Sequence, residues 1–447
     1  MAGSVDTTFE VLVTDGHTRA GLAVARSLAR RGVRLLVLVA EPGCPAVHSS
    51  LLKDVVVAPS PAKEPAAFID FTLQAIAKHK IELAIPITDQ ALLLFDQHRE
   101  RLESLTKVAM AKPEALRSAL DKRINLELAT KLGVPCARQF DLTSLDQIPE
   151  MIATLGFPIV LKRPGDPVDK TMPAFSFRVL YAHNEEQLRG FIAAHCGHGE
   201  YPLFQECATG EIHNVCCFAT DGEVLSAHEY RSIRRLEGAG VLREIIEPSP
   251  DLLQYARDLL GALRWDGVAH LGFFVDQARN KVWYMETNGR FWASIQGSVH
   301  AGWDFPYWTY DYFLHGRRPQ PGPIEVGSLT CWHLGDLKAL LNFWRGGDIP
   351  ATGTNPSKPE ATLQYLSGFS PKIHSDLFAW DDPIPAVCEY WYLRKQLWGM
   401  LRRKLGAVKA APATPGTQVV RISGLEQTLL RKHEERTSKS DREQKTR

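Results

Sequence analysis

Over the first hundred residues, short apolar runs alternate with stretches that carry a helical period. FEVLVTD, starting at Phe9, is followed by a helical pattern over 19–31. VRLLVLVA, DVVVAP and ELAIPITD then repeat the strand signal, and the helical FIDFTLQAIAKHK lies between the last two. Strands alternating with helices predict a parallel, doubly wound sheet. Runs that are apolar at nearly every position predict a sheet covered on both faces.

Two helical patterns come next: PEALRSAL from Pro113, then DKRINLELATKLGVP, in which Asp121 is the N-cap and Gly133-Val134-Pro135 the stop. From about Ile159 the pattern changes. IVLKR, FSFRVLYA, LFQEC, EIHNVCCFA and EVLSAHEYR lie close together between Gly, Asp and Pro turns, with helices over 184–194 and 250–263. That is α+β organisation with largely antiparallel sheets. VAHLGFFVD and KVWYMET predict a hairpin closing around 277–280, and a helix-rich stretch follows it. Beyond about Pro319 the chain is rich in Pro, Gly and Trp, with amphipathic helices over 335–344 and 387–405. The expected division is 1–112 α/β, 113–320 α+β, 321–409 a helical C-terminal extension packed alongside, and 410–447 a tail too polar to order itself.

Composition narrows the partners. The 447 residues are 45% hydrophobic and 23% charged, and 52 basic residues balance 51 acidic ones. A globular, multi-domain protein is implied, with no basic excess for nucleic acid. Eight cysteines include no CxxC pair, and the adjacent Cys216 and Cys217 point to opposite faces of a strand. Free thiols in a reducing compartment follow, without zinc or disulfides. There is no secretory pattern and no apolar run of membrane-spanning length, so a cytoplasmic location is expected. The basic, Trp-containing pattern around Trp398 suits a helix packed on the body; peripheral contact with an anionic membrane is the alternative. The run from Trp303 to Phe313 has seven aromatics at helical spacing, which marks it for core packing rather than substrate stacking.

Several segments carry candidate chemistry. The turn Asp15-Gly16-His17-Thr18-Arg19-Ala20-Gly21 reads as a tight strand-to-helix connection or a partial dinucleotide fingerprint. With Glu41 as the ribose acid, the second option leads to a nicotinamide-dependent oxidoreductase. Lys122 starts a helix and Lys162 ends an apolar strand beside a Gly/Pro-rich loop, a pairing that suits a triphosphate under a closing loop. After LFQEC, the backbone around Cys207 and Ala208, beside Glu206, can meet an adenine edge, and Glu211 can accept from ribose hydroxyls. Glu286, Asn288 and Arg290 alternate at a strand end and share one face. A carboxylate and an amide oxygen there suit Mg²⁺ together with phosphate, and an arginine suits a transferring phosphoryl group.

In this order the segments resemble the ATP-grasp superfamily over roughly residues 9–320, with ETNGRFWASIQGSVHAGWDFP as the most specific run. They are similar to its predicted carboligase branch, to the large-subunit domains of carbamoyl-phosphate synthetase and to biotin carboxylase. The resemblance implies an N-terminal pre-ATP-grasp domain, then a two-subdomain ATP-grasp fold. It places Lys122 and Lys162 on ATP phosphates; Glu206, Cys207 and Ala208 at adenine; and Glu211 at ribose. Glu286 and Asn288 would hold Mg²⁺ or Mn²⁺, and Arg290 would stabilise the phosphoryl-transfer transition state. Arg231, Arg234, Arg235 and Arg243 fall where relatives bind substrate or phosphate. The implied activity joins a small-molecule carboxylate to an amine or other nucleophile through an acyl phosphate, with the loop 163–174 closing over it. Two departures stand out: Gly272 sits where relatives carry a second metal ligand, with His270 on the same face, and Gly289 replaces a proline. Gly272 favours an alternative, a degenerate ATP-binding regulatory protein. A structural protein docking through its C-terminal helix is a further option.

Overall fold

The computed structural model describes residues 9–163, 177, 179–196, 201–236, 238–346 and 356–391. Its first sheet is built from β1 (Val11–Val13), β2 (Leu35–Val39), β3 (Val55–Val57), β4 (Leu83–Ile85) and β5 (Lys107–Val108). The strand order is β3-β2-β1-β4-β5 and every pairing is parallel. Helix α1 (Arg19–Arg30) packs on the face that carries Val11, Val13 and Val37. Helices α2 (Pro65–His79) and α3 (Asp89–Gln97) pack on the face that carries Leu12, Leu36 and Leu38. Both faces are covered, which is why these strands have no polar alternation.

The turn after β1 is tight for a steric reason. A Cβ at Gly16 would lie 2.3 Å from Val37 Cγ1, and one at Gly21 would lie 2.3 Å from the Asp15 carbonyl oxygen. Both glycines therefore let α1 sit close to the sheet, with Thr18 capping the helix through the Gly21 amide.

A four-stranded antiparallel sheet follows, made of β6 (Gln139–Phe140), β7 (Ile159–Lys162), β8 (Val179–Ala182) and β9 (Leu203–Glu206), in the order β6-β9-β7-β8. The main sheet contains β10 (Glu211–Thr220), β11 (Glu223–Leu236), β12 (Ala239–Ile246), β13 (Gly267–Asp276) and β14 (Lys281–Asn288). Cys216 packs in one core and Cys217 in the other, on opposite faces of β10, and all eight cysteines are free thiols. The aromatic run forms the helix Phe305–His315; Trp303, Phe305 and Tyr310 are buried in the core beneath α1.

The C-terminal extension differs from its expected form. It carries the helices His333–Trp344 and Lys358–Ser367, but it also supplies β15 (Leu329–Cys331) and β16 (Ile373–Ser375). These complete a seven-stranded sheet, β14-β13-β10-β11-β12-β15-β16. A boundary at residue 320 thus cuts between strands of one sheet. Three-residue strands are too short to show a period, and their pairing joins distant parts of the chain. Of the expected helix 387–405, residues 387–391 are helical and the rest lies outside the described residues, as does the tail 410–447. No helix among the described residues is long and apolar enough to cross a membrane.

Buried ion pairs lock this extension to the rest. Arg26 on α1 donates to Asp382 Oδ2 at 2.8 Å and to the carbonyls of Leu377 and Asp382, and both charged side chains are almost fully buried. Asp382 also accepts from the Ser49 hydroxyl and the Ser50 amide. Burial alone would raise this carboxyl, but Ser49, Ser50 and Arg26 hold it below its ordinary value. Its stabilisation is therefore complete above about pH 4 and is lost as pH falls through the depressed folded value. Asp382→Ala leaves Arg26 buried and uncompensated, so denaturant unfolding at neutral pH should show a loss of about 3–5 kcal/mol. The deficit relative to the unsubstituted chain should shrink towards acid pH.

Candidate functional site

The helix Lys122–Lys131 begins where the Asp121 carboxylate caps the amides of Arg123 and Ile124. Its second attachment is internal: the Asn125 side-chain oxygen accepts from the Tyr284 hydroxyl on β14. Fixed at both points, the helix sets Lys122 Nζ 3.6 Å from Glu286 Oε2. Lys162, the last residue of β7, approaches the same carboxylate from the four-stranded sheet. Burial, then the like charge of Lys122, pushes its ammonium down to about 8, with Glu286 opposing. Burial would raise Glu286, but Lys122, the Asn288 amide at 3.3 Å, Lys162 and Arg290 hold it at about 2. The Glu286 side chain keeps 33% exposure although protein groups surround it, as expected for the floor of a cleft.

Arg290 is engaged. Its Nε and Nη2 grip the Asp89 carboxylate at 2.8 and 2.7 Å, and Nη1 donates to the Phe291 carbonyl. Asp89 opens α3, so this fork ties the first domain to the end of β14. Three cations (Lys122, Lys162 and Arg290) face two carboxylates (Glu286 and Asp89), which leaves surplus positive charge for an anion.

Register explains the rest of the floor. Glu286, Gly272, Asn214 and Tyr230 are successive partners across β14, β13, β10 and β11. Asn288, His270, Cys216 and His228 form the next row on the same face. A Cβ at Gly272 would lie 3.1 Å from Met285 Cε and 3.8 Å from Asn214 Oδ1. Asn214 thus brings an amide oxygen to the space that a side chain at 272 would fill. It is buried, at 5% exposure. Asn214 was not legible as a site residue, because only strand pairing sets it opposite Gly272. His270 hydrogen-bonds Tyr230 at 3.0 Å, lies 3.4 Å from the Asn288 amide nitrogen, and stacks on Trp292. Burial, then Arg290, pushes it down to about 4, so it is a neutral imidazole that positions Asn288.

These donors fit magnesium in a particular way. One carboxylate with the amide oxygens of Asn288 and Asn214 suits a hard cation that arrives with phosphate oxygens. No group of three or more His, Cys, Asp or Glu side chains able to hold a metal occurs among the described residues, so an all-protein metal cage is not offered.

Glu206 ends β9 and accepts from the Arg138 guanidinium at 2.6 Å and the Arg138 amide at 3.0 Å. With that carboxylate occupied, the link to β10 offers the backbone of Cys207 and Ala208. Burial raises the Cys207 thiol while Lys162 opposes, so the link runs beside Lys162. Tyr181 on β8 feels both Cys207 and Arg235, and Arg235 in turn feels Glu211. Glu211, opening β10, lies 3.9 Å from Arg231 and 3.5 Å from His213. Lys122, Lys162, Glu286 and the 206–211 link therefore border one cleft between the four-stranded and seven-stranded sheets.

The four arginines divide. Arg234 pairs with Asp336 (Nε–Oδ1 2.7 Å) and Arg243 with Asp376 at 2.6 Å, all buried. These two tie the main sheet to the C-terminal extension, because their carboxylate partners both come from beyond residue 320. Arg231 is paired with Glu244 at 2.8 Å; Arg235 is half-buried near Tyr181 and Glu211. Of the expected closing loop, 164–174 lies outside the described residues.

No family model matches the sequence, and no curated protein does. Solved structures are similar in fold. A biotin carboxylase from Campylobacter jejuni, solved with β,γ-ATP, superposes with a TM-score of 0.57 at 14% identity, covering 73% of this chain and 75% of that one. N5-carboxyaminoimidazole synthetase from Staphylococcus aureus gives 0.57 at 14%, covering 80% and 97%. The biotin carboxylase domain of Hydrogenobacter thermophilus 2-oxoglutarate carboxylase, solved with MgADP, ADP and bicarbonate, gives 0.56 at 12%, covering 72% and 73%. The chain has the ATP-grasp fold of these proteins.

The depressed Lys162 makes the cleft pH-sensitive. The unfolded chain keeps this proton to about pH 10, so folding gains stability as pH rises from about 8 to 10. Triphosphate binding should show the opposite trend. As Lys162 loses its charge between pH 7 and 9, calorimetric ATP affinity should fall about tenfold, and Lys162→Arg should flatten that dependence.

Proposed function

We propose that this chain is an ATP-dependent carboxylate ligase, built on the fold it shares with those carboxylases and that synthetase. The observation that carries this reading is the convergence of Lys122, Lys162, Glu286 and Asn288, from three separate elements, on one cleft floor. Lys122 and Lys162 bind triphosphate oxygens, and the Cys207–Ala208 backbone meets the adenine edge with Glu211 at the ribose. Glu286 and Asn288, with Asn214 added by the register, hold Mg²⁺, which when bound neutralises phosphate charge. A substrate carboxylate oxygen attacks the γ-phosphorus and the bond to the β,γ-bridging oxygen breaks, giving ADP and an acyl phosphate. The nucleophile then attacks the acyl carbon and phosphate leaves, so positioning and charge stabilisation supply most of the rate. Arg290 acts as a positioning residue, because Asp89 holds its fork. Substrates are small molecules, and the free thiols accord with a reducing, cytoplasmic setting.

Gly272 opposite Glu286 supports a second reading, in which ATP is held without turnover. A screen of carboxylates and amines for ADP formation separates the two. Turnover is expected, and Glu286→Gln should lower it on the order of 100-fold or more; turnover that survives this change rejects the assigned metal strand. In Gly272→Asp the added Cβ needs only the flexible Met285 tip, 3.1 Å away, to move, and the carboxylate would share the space that the Asn214 oxygen borders at 3.8 Å from that Cβ. It should tighten Mg²⁺·ATP binding, read as a lower magnesium requirement in a thermal-shift titration.

A further inference from the structure

The C-terminal extension forms a groove that the triphosphate chemistry does not use. It has a volume of about 960 Å³ and a mainly apolar wall that includes Phe369, Ile373, Phe378, Trp380 and Val387. Trp380 is 91% exposed and Val387 69%. At one end the groove adjoins a smaller pocket of about 210 Å³, and Trp332, Leu377 and Glu389 line both. The smaller pocket is bounded by His17, Thr18 and Arg19 at the start of α1, and the groove reaches Arg30 at its end. At 1.5 Å per helical residue the combined site is roughly 16 Å long.

The charges at the inner end are unevenly satisfied. Arg19 stacks on the Trp332 ring at 3.9 Å and pairs with Asp376, which also binds Arg243. Glu389 accepts from the Trp332 indole at 2.8 Å, and Glu41 lines the far side. Arg30 pairs with Asp381 at the outer end, where His300 stacks on His374. Lys338 lines the pocket with its ammonium 5.7 Å from the Trp332 ring and forms no ion pair among the described residues. Glu389 feels this ammonium, but no described carboxylate is within ion-pair distance of it, and an ammonium so placed at the inner end of an apolar trough is complementary to an anion with a hydrocarbon body. The pocket also connects to the cleft floor: Arg19, Asp376 and Arg243 lead to Tyr230, and Tyr230 leads through His270 and Asn288 to Glu286.

We propose that this pocket and groove bind an apolar carboxylate, with its head beside Lys338 and its chain running outward past Ile373, Phe378, Trp380 and Val387. Identifying this molecule as the carboxylate that is phosphorylated rests on the ligase reading; the binding itself does not. Glu389 is the group that opposes an anion here, which supplies a sign test.

The full chain is titrated calorimetrically with dodecanoate, butyrate and dodecylamine below their micellar concentrations, and the ATP·Mg²⁺ melting shift is measured in parallel. Dodecanoate should bind one per chain, and butyrate at least tenfold more weakly. Val387→Glu, at an exposed position, and Lys338→Ala should each weaken dodecanoate on the order of tenfold, one decade in Kd. Glu389→Gln should tighten it, and unchanged melting of the three variants confirms that they fold. Tighter binding of dodecylamine, many ligands per chain, no binding, or indifference to all three substitutions overturns the proposal. An ATP·Mg²⁺ shift without dodecanoate binding rejects this site and keeps the ligase reading; dodecanoate binding without the shift does the reverse.

Discussion

Glu286 must stay ionised where protein surrounds it, and the cleft is organised by that requirement. Burial raises a lone carboxylate; here Lys122, Asn288, Lys162 and Arg290 outweigh that cost and hold it at about 2. Those four groups come from a helix start, two strand ends and the turn after β14, so keeping one charge solvated brings together three parts of the chain. The same arrangement over-supplies cations. Burial, and then the like charge of Lys122 across the single carboxylate, depresses Lys162 to about 8 before any ligand arrives, which makes a poor resting state and a good receptor for a polyanion.

A second set of charges does structural work. Asp376 is shared by Arg19 and Arg243, Asp336 is held by Arg234, and Asp382 by Arg26. Each pair joins the C-terminal extension to α1 or to the main sheet, and every partner except the partly exposed Arg19 is buried, so losing one partner leaves an uncompensated charge. The extension is thereby locked over α1, where it closes one pocket and shapes the groove beside it.

Much of the fold was legible along the chain. Apolar runs alternating with helical periods marked four of the five strands of the first sheet, all but the two-residue β5, and the Asp121 cap and the 277–280 turn marked the start of the Lys122 helix and the β13–β14 hairpin. β12, β15 and β16 were not visible, since they are short or interrupted and are defined by partners distant in sequence. Among the site residues, the lysines and the ETN strand could be singled out because local chemistry marks them. Four arginines within thirteen residues looked alike as text, yet two are internal ties and Arg235 borders the cleft.

By itself the sequence determined most of the longer elements and the types of group available to a triphosphate, because periodicity, caps and turn residues act within a few positions. Tertiary structure alone decided that Asn214 stands opposite Gly272, that Asp89 occupies Arg290, and that Lys338 forms no ion pair among the described residues. Each is a relation between residues far apart along the chain. Such relations follow from strand register and helix packing, and the energy that selects them is the collective burial of whole faces rather than a preference of any single residue.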